Sequence, residues 1–208
     1  MTTWKAWIHA ARLRTLPLAL AVVCMGGILA YADGYVNGAA LILAILTTLL
    51  LQILSNFAND YGDFTSGVDI AGRVGPQRAL QAGFIQPAQM RGALVVTSLL
   101  ALLSGIVLLY VADLSQGDWI GFLVLGLLSI AAAITYTVGK RPYGYVGLGD
   151  VSVFIFFGLV GVLGTHYLIH GTFHPRNILL AATCGLFSVG VLNLNNIRDL
   201  EADKRHGK

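Results

Sequence analysis

The sequence predicts an all-α, polytopic transmembrane helix bundle with six spans in this chain, forming one domain over residues 1–208. Three observations predict it. The composition is 56% hydrophobic and 11% charged, with a mean hydropathy of +0.75, whereas a soluble domain is about 25% charged. Six apolar runs approach the roughly 20 residues a helix needs to cross the hydrocarbon core. Finally, the charges are sorted by side. With the N-terminus inside, twelve of the 13 Lys and Arg residues fall on inside segments and Arg176 alone falls outside, the asymmetry of the positive-inside rule. The net charge of +3 is too small to point to nucleic acid.

Taken in order, Trp4, Trp7 and Ile8 beside Lys5 and Arg12 predict an amphipathic segment on the inner membrane surface. The spans follow at Leu16–Ala32, Gly38–Phe57, Gly92–Ala112, Trp119–Val138, Val151–His170 and Asn177–Leu194. They are rich in Leu, Val, Ala and Gly and lack strand-like alternation, so helices rather than a barrel satisfy the backbone in lipid. Inside loops are expected at about residues 59–91 and 139–150, and both ends of the chain are expected in the cytoplasm. Cys24 and Cys184 lie within apolar runs and read as small buried side chains. Gly158, Gly161 and Gly164 read as close helix contacts. No cleavable secretory signal is evident.

The chemistry is expected where two spans leave the membrane. After the second, "NDYGD" places Asn59, Asp60 and Asp63; after the sixth, "NNIRDLEAD" places Asn195, Asp199 and Asp203. Both contain Asn-x-x-x-Asp, and residues four apart share a helix face. Four spans separate the motifs, so both open on the same side. Carboxylates at membrane depth are costly and usually functional, and an acid cluster needs cations. Oxygen-only donors favour Mg²⁺ or Mn²⁺, and Mg²⁺ usually shares its shell with substrate phosphates. A diphosphate is therefore the expected guest. Arg78 in "GPQRALQAG", with Lys140 and Arg141 in "TYTVGKRPYGYVGLGD", is expected to grip it. The neighbouring Tyr136, Tyr143 and Tyr145 offer π faces to a developing cation. No GxxxxGK[ST] motif supports ATP binding. His166, His170 and His174 are spaced by four, a metal-like spacing, but they fall at the outer end of the fifth span and an interfacial role is expected.

These motifs, with "ARLRTLPLA" and "LNNIRDLEADKRHGK", resemble the UbiA superfamily of intramembrane aromatic prenyltransferases, and within it the branch that prenylates 1,4-dihydroxy-2-naphthoate. The resemblance covers essentially the whole chain. It implies transfer of a polyprenyl group from polyprenyl diphosphate to 1,4-dihydroxy-2-naphthoate with decarboxylation, giving demethylmenaquinone, in the cytoplasmic (inner) membrane with the lipid bilayer as surroundings. It implies Mg²⁺ held by Asn59, Asp60 and Asp63 and by Asn195, Asp199 and Asp203. Arg78, Lys140 and Arg141 would bind diphosphate, Tyr136 would shield the allylic cation, and Asp150 would orient or deprotonate the acceptor. Where the superfamily's first motif often carries a third acid, this chain has Gly67, with Asp69 two residues on as its stand-in. The superfamily bundle has nine spans against six here, so a C-terminally truncated member is expected. A different phenol such as 4-hydroxybenzoate as acceptor, a divalent-cation transporter and a structural membrane subunit are the competing readings. A transporter would place its acids at the span midplane.

Overall fold

Long helices dominate the computed structural model, which describes residues 3–67 and 78–205, with the side chains of 199 and 201–205 outside that description. The helices are α1 (Thr3–Ala11), α2 (Leu16–Ala32), α3 (Gly38–Thr65), α4 (Pro87–Val111), α5 (Gln116–Thr135), α6 (Gly149–Val153), α7 (Thr165–His170) and α8 (Asn177–Arg205). Short 3-10 turns lie at Leu13–Thr15 and Tyr143–Val146, and a π-helical stretch at Phe154–Gly164 joins α6 to α7. Among the described residues, six helical segments are long and apolar enough to cross a membrane: Thr3–Ala32, Gly38–Thr65, Pro87–Val111, Gln116–Thr135, Gly149–His170 and Asn177–Arg198.

Several spans begin where the sequence supplies a cap. The Asn37 side chain accepts the Ala40 N–H at 3.0 Å and donates to the Val111 carbonyl at 3.2 Å, tying the start of α3 to the end of α4. Gln86 and Gln89 form a capping box ahead of Pro87, and Ser115 caps α5 by accepting the Asp118 N–H. Such caps satisfy N–H groups that have no partner within the helix.

Two spans run further than their apolar pattern. α3 has 28 residues and α8 has 29, about 42–44 Å at 1.5 Å per residue, against a hydrocarbon core of about 30 Å. The expected loop at 59–91 is thus shorter: "NDYGD" lies in the last two turns of α3, and α4 has begun by Pro87. The second loop is also partly ordered, with α6 starting at Gly149. Helices do not require apolar side chains, only satisfied backbone groups, so a polar motif continues a span wherever its side chains find partners.

Packing is close where side chains are absent. A methyl group on Gly158 would fall 2.7 Å from the Ala181 carbonyl and 2.8 Å from Gly185, and one on Gly185 would meet Phe154 at 2.8 Å. The π-helical stretch and α8 therefore touch backbone to backbone, as small-residue membrane interfaces do. Gly161 is similarly tight against Val22, at 3.0 Å, whereas Gly164 makes only an ordinary contact with Phe122. One buried cluster surrounds Ala6, Ala10, Leu54, Ile85 and Met90, and a second surrounds Val23, Ala40, Val162 and Ala181. Large apolar side chains such as Leu99, Leu103 and Leu179 are exposed, as expected of a surface solvated by lipid tails. Cys24 belongs to that surface: it is exposed, and Cys184 is half-buried, so neither is the buried side chain its apolar run suggested. Both are free thiols.

α1 packs as an amphipathic helix should. Ala6 and Ala10 are buried, Trp4 is exposed, and the Trp7 ring meets Phe57 of α3 edge-on at 5.6 Å. Between α1 and the first 3-10 turn, Arg12 adopts a left-handed backbone, φ 50 and ψ 57. A non-glycine residue held there costs about 1–3 kcal/mol, and such residues cluster at functional sites.

Candidate active site

The last turns of α3 carry the carboxylates, and residues distant in sequence neutralise them. Asp60 and Asp63 are buried, at 2% and 3% exposure. Burial of a charge is tolerable only with a partner. The Arg12 guanidinium donates to Asp60 at 2.5 Å. Arg78 pairs with Asp63 through Nη1 and lies 3.7 Å from Asp60 through Nε. The same Nη1 donates to the Asn59 carbonyl at 3.1 Å. Tyr145 donates its hydroxyl to Asp63. Burial, and then the negative Asp63 beside it, push the Tyr145 hydroxyl well above the usual phenol range, so it remains a donor. The Asn59 side-chain oxygen accepts from Thr137 at 3.1 Å.

Gly62 makes this convergence possible. A Cβ there would run into the Thr137 carbonyl, so only glycine lets the turn after α5 lie directly on the acid motif. Gly144 serves the turn itself in the same way: a Cβ there would fall 2.7 Å from the Tyr136 carbonyl and 3.0 Å from its ring. Asn56, also buried, donates to the Ala11 carbonyl at 2.8 Å and to Thr15 at 3.0 Å. It holds the α1–α2 turn, and with it Arg12, against α3.

A cavity of about 830 Å³ opens from this group. One polar wall contains Asn59, Asp63, Arg78, Arg12 and Arg14; another contains Asn193, Asn195, Asn196 and Arg198 of α8. Its deeper lining is apolar, including Leu102, Phe122, Phe156 and Leu192. Tyr136 lines it with its ring edge-on to Tyr143 at 5.3 Å, and so does Asp150, whose carboxylate accepts from Asn193 at 3.5 Å.

The expected residues divide accordingly. Asn59, Asp63 and Arg78 come together on the cavity wall with Tyr136 and Asp150, whereas Asp60, beside them, faces a separate small pocket shared with Arg12 and Arg78. Asn195 lines the large cavity too, although its amide donates to the Val191 carbonyl of its own helix. Asp199 and Asp203 lie on the continuous α8, one turn apart; their side chains, and all of Asp69, lie outside the described residues. Lys140 and Arg141 are exposed on the turn after α5 and do not line the cavity. Arg12, Arg14 and Arg198 occupy its wall instead. Sequence reasoning missed Arg12 and the hydrogen-bonding role of Tyr145. "ARLRTLPLA" carried a signal for the first, in two arginines at the mouth of a span, but nothing local named its partner 48 residues away.

Fold and site together define a membrane-embedded helical protein whose cavity joins a charged rim to an apolar interior, suited to an amphipathic ligand with an anionic head. The chain belongs to the UbiA prenyltransferase family, which it matches over residues 19–208. It is 50% identical over 204 residues to the 1,4-dihydroxy-2-naphthoate octaprenyltransferase of Escherichia coli, covering 98% of this chain and 66% of that protein. The protein of that name from Haemophilus influenzae is 48% identical, with 98% and 67% covered. That from Mycobacterium tuberculosis is 38% identical, with 100% and 69% covered. The chain thus spans about two thirds of the length of these relatives. No solved structure matches it significantly.

Proposed function

We propose that this chain carries the site that transfers a polyprenyl group from its diphosphate to 1,4-dihydroxy-2-naphthoate, giving demethylmenaquinone in its quinol form. The observation that carries this reading is the single cavity running from the Asp63–Arg78–Asn59 group, past Tyr136, to an apolar lining and the asparagines of α8. The names of the relatives supply the transferred group and the acceptor, an octaprenyl group and 1,4-dihydroxy-2-naphthoate; the charged rim supports a diphosphate as the leaving group.

The donor atoms fit Mg²⁺. Asn59, Asp60 and Asp63 offer only oxygens, and two buried carboxylates three residues apart require compensating positive charge, which Arg12 and Arg78 provide. Asn59 and Asp63 would hold one ion at the cavity wall, with Asp60 beside them facing a separate small pocket, and Asn195, with Asp199 and Asp203 further along the same helix, would hold the other. Bound there, Mg²⁺ would neutralise the charge that grows on a departing diphosphate.

The remaining steps belong to the protein. Arg78 and Arg12 exchange carboxylate for phosphate oxygens, for which the guanidinium fork is suited. Fixed donors aimed at developing charge favour the transition state over the ground state. The prenyl C–O bond to diphosphate breaks, and Tyr136 with the apolar lining keeps water from the allylic cation. A C–C bond forms to the naphthoate ring, whose carboxylate leaves as CO₂, so no external oxidant or reductant is needed. Asp150, beside Asn193, orients the acceptor hydroxyl. The acid end faces the cytoplasm of the inner membrane, with both ends of this chain on that side, because the cations gather there.

The test is a radiolabelled prenyl-transfer assay. Membranes carrying this chain receive octaprenyl diphosphate and 1,4-dihydroxy-2-naphthoate with Mg²⁺ or EDTA, beside membranes carrying the Escherichia coli relative. Mg²⁺-dependent product from both is the expected outcome. Product on 4-hydroxybenzoate in place of the naphthoate would move the acceptor assignment. Inserted chain with no product on either acceptor, while the relative is active, would overturn the proposal for this chain.

A further inference from the structure

At the other end of the bundle from the acids, four residues from three segments of the chain converge. Asp33 caps the C-terminus of α2; His166 and His170 lie on α7; His174 follows in the α7–α8 connection. Two successive steps of four residues bring the imidazoles together: the first is one helical turn, and the second is a reversal at Gly171, which has φ +82. The rings lie 4.6–5.3 Å apart, centroid to centroid. His166 Nε2 is 2.9 Å and His174 Nδ1 3.1 Å from the same Asp33 oxygen, Oδ2. The other oxygen, Oδ1, is held by Arg176. Thr172 Oγ1 lies 2.7 Å from His170 Nδ1 and 3.2 Å from His174 Nε2.

Arg176 pairs with one oxygen of Asp33, and the imidazole nitrogens grouped around the other are donors of the kind that borderline divalent metals take. Among the described residues, Asp33, His170 and His174 are the one group of three or more His, Cys, Asp or Glu placed for this, with one ligand atom from each all within 4.8 Å of one another. Tetrahedral ligands sit about 3.3 Å apart at Zn–N distances of about 2.0–2.1 Å. Binding an ion therefore requires side-chain rotation at these half-buried positions to close the difference. His166 is buried at 2% exposure and bonds the carboxylate, as the outer partners of metal ligands do.

We propose that Asp33, His170 and His174 form a binding site for a divalent transition-metal ion of the zinc class, with His166 as the positioning residue for Asp33. The ion closes a clasp between the end of α2 and the α7–α8 connection. The site is independent of the prenyl-transfer centre: its donors are mixed nitrogen and oxygen, which disfavours Mg²⁺, and none of them lines the large cavity.

The test uses the purified chain with an affinity tag that contains no histidine, stripped with EDTA and kept in excess Mg²⁺ to mask the oxygen-donor site. Co²⁺ is titrated while its visible ligand-field bands are followed, then displaced with Zn²⁺. One equivalent with a four-coordinate spectrum is expected, with a rise in melting temperature on adding Zn²⁺. His174→Gln and Asp33→Asn should each lose the spectrum and the thermal shift, and His166→Gln should weaken binding about tenfold or more. His170→Gln is a further check, and should it fail to fold, His174→Gln in the exposed connection still decides. Equal Co²⁺ binding by wild type and the His174→Gln/Asp33→Asn double variant would overturn the site, as would an octahedral spectrum with no thermal shift.

Discussion

The two ends of this bundle face the same physical problem and solve it with different chemistry. At one end, Asp60 and Asp63 are buried on a long helix and matched by permanently charged guanidinium groups from Arg12 and Arg78. At the other, Asp33 meets one guanidinium and is otherwise surrounded by imidazoles. The first arrangement offers hard oxygens and permanent charges, the chemistry that suits an anion and a hard cation. The second offers imidazole nitrogens around a carboxylate already paired with Arg176. A buried carboxylate thus says little about function; the groups that compensate it say a great deal.

Substitutions separate the ends, and the largest effect is expected at Asp63. Asp63→Ala should abolish prenyl transfer in the radiolabelled assay while membrane insertion persists; near-normal turnover would remove Asp63 from the site. It also removes the closer of the two carboxylates that Arg78 pairs with, and breaking a buried pair costs up to about 3–5 kcal/mol, visible as earlier thermal unfolding. The histidine end should retain its Co²⁺ spectrum if the two ends are independent.

Next in size is Gly62→Ala. Its methyl group meets the Thr137 backbone, so α3 and the turn after α5 must separate, at about 1–3 kcal/mol for an overpacked site. Transfer should fall with stability; an unchanged melting temperature and rate would show that the close approach does not matter.

Arg12→Gln sharpens the comparison by removing a permanent charge. It leaves Asp60 with Arg78 at 3.7 Å and should raise KM for the prenyl diphosphate, with Arg12→Lys recovering some of the loss because the charge, but not the fork, returns. Equal KM values in all three proteins would reduce Arg12 to a structural counter-ion.

A smaller effect is expected from Lys140→Ala and Arg141→Ala. Both side chains are exposed on the turn, where substitutions usually stay within about 0.5 kcal/mol. A loss of transfer as large as that of Asp63→Ala would return them to the diphosphate site.

The smallest effect concerns pH. The His166 hydrogen bond, with Arg176 and His174 nearby, holds Asp33 below the usual carboxylate range against the opposing effect of burial. Its folded pKa is therefore the lower one, and as pH falls the unfolded chain takes up the proton first. The stability Asp33 contributes is present above the ordinary aspartate value of 3.8 and is lost as pH falls below it. Thermal melts across that range should show a shallower acid limb in Asp33→Asn than in wild type; identical limbs would contradict the pairing.

Much of this architecture was legible residue by residue. The first span runs over Leu16–Ala32 as its apolar run predicts, because an uninterrupted stretch of that length has no stable place outside a membrane. The four-residue spacing of Asn195, Asp199 and Asp203 holds on a helix that runs to Arg205. The π-helical stretch at Phe154–Gly164 was not legible. That run is apolar on every side, so no periodicity distinguishes one winding from another, and its contact with α8 at Gly158 and Gly185 is set by residues far along the chain.

The sequence by itself determined the solvent, the number of spans in this chain and the motifs at their ends, because transfer of side chains from water to lipid is a local and nearly additive property. Tertiary structure alone decided which charge meets which. Arg12 reaches Asp60, Tyr145 reaches Asp63, and Asp33 reaches His166 and His174 from the far side of the sequence. Pairing of buried groups depends on distances of a few ångströms between helices, and no local pattern encodes those.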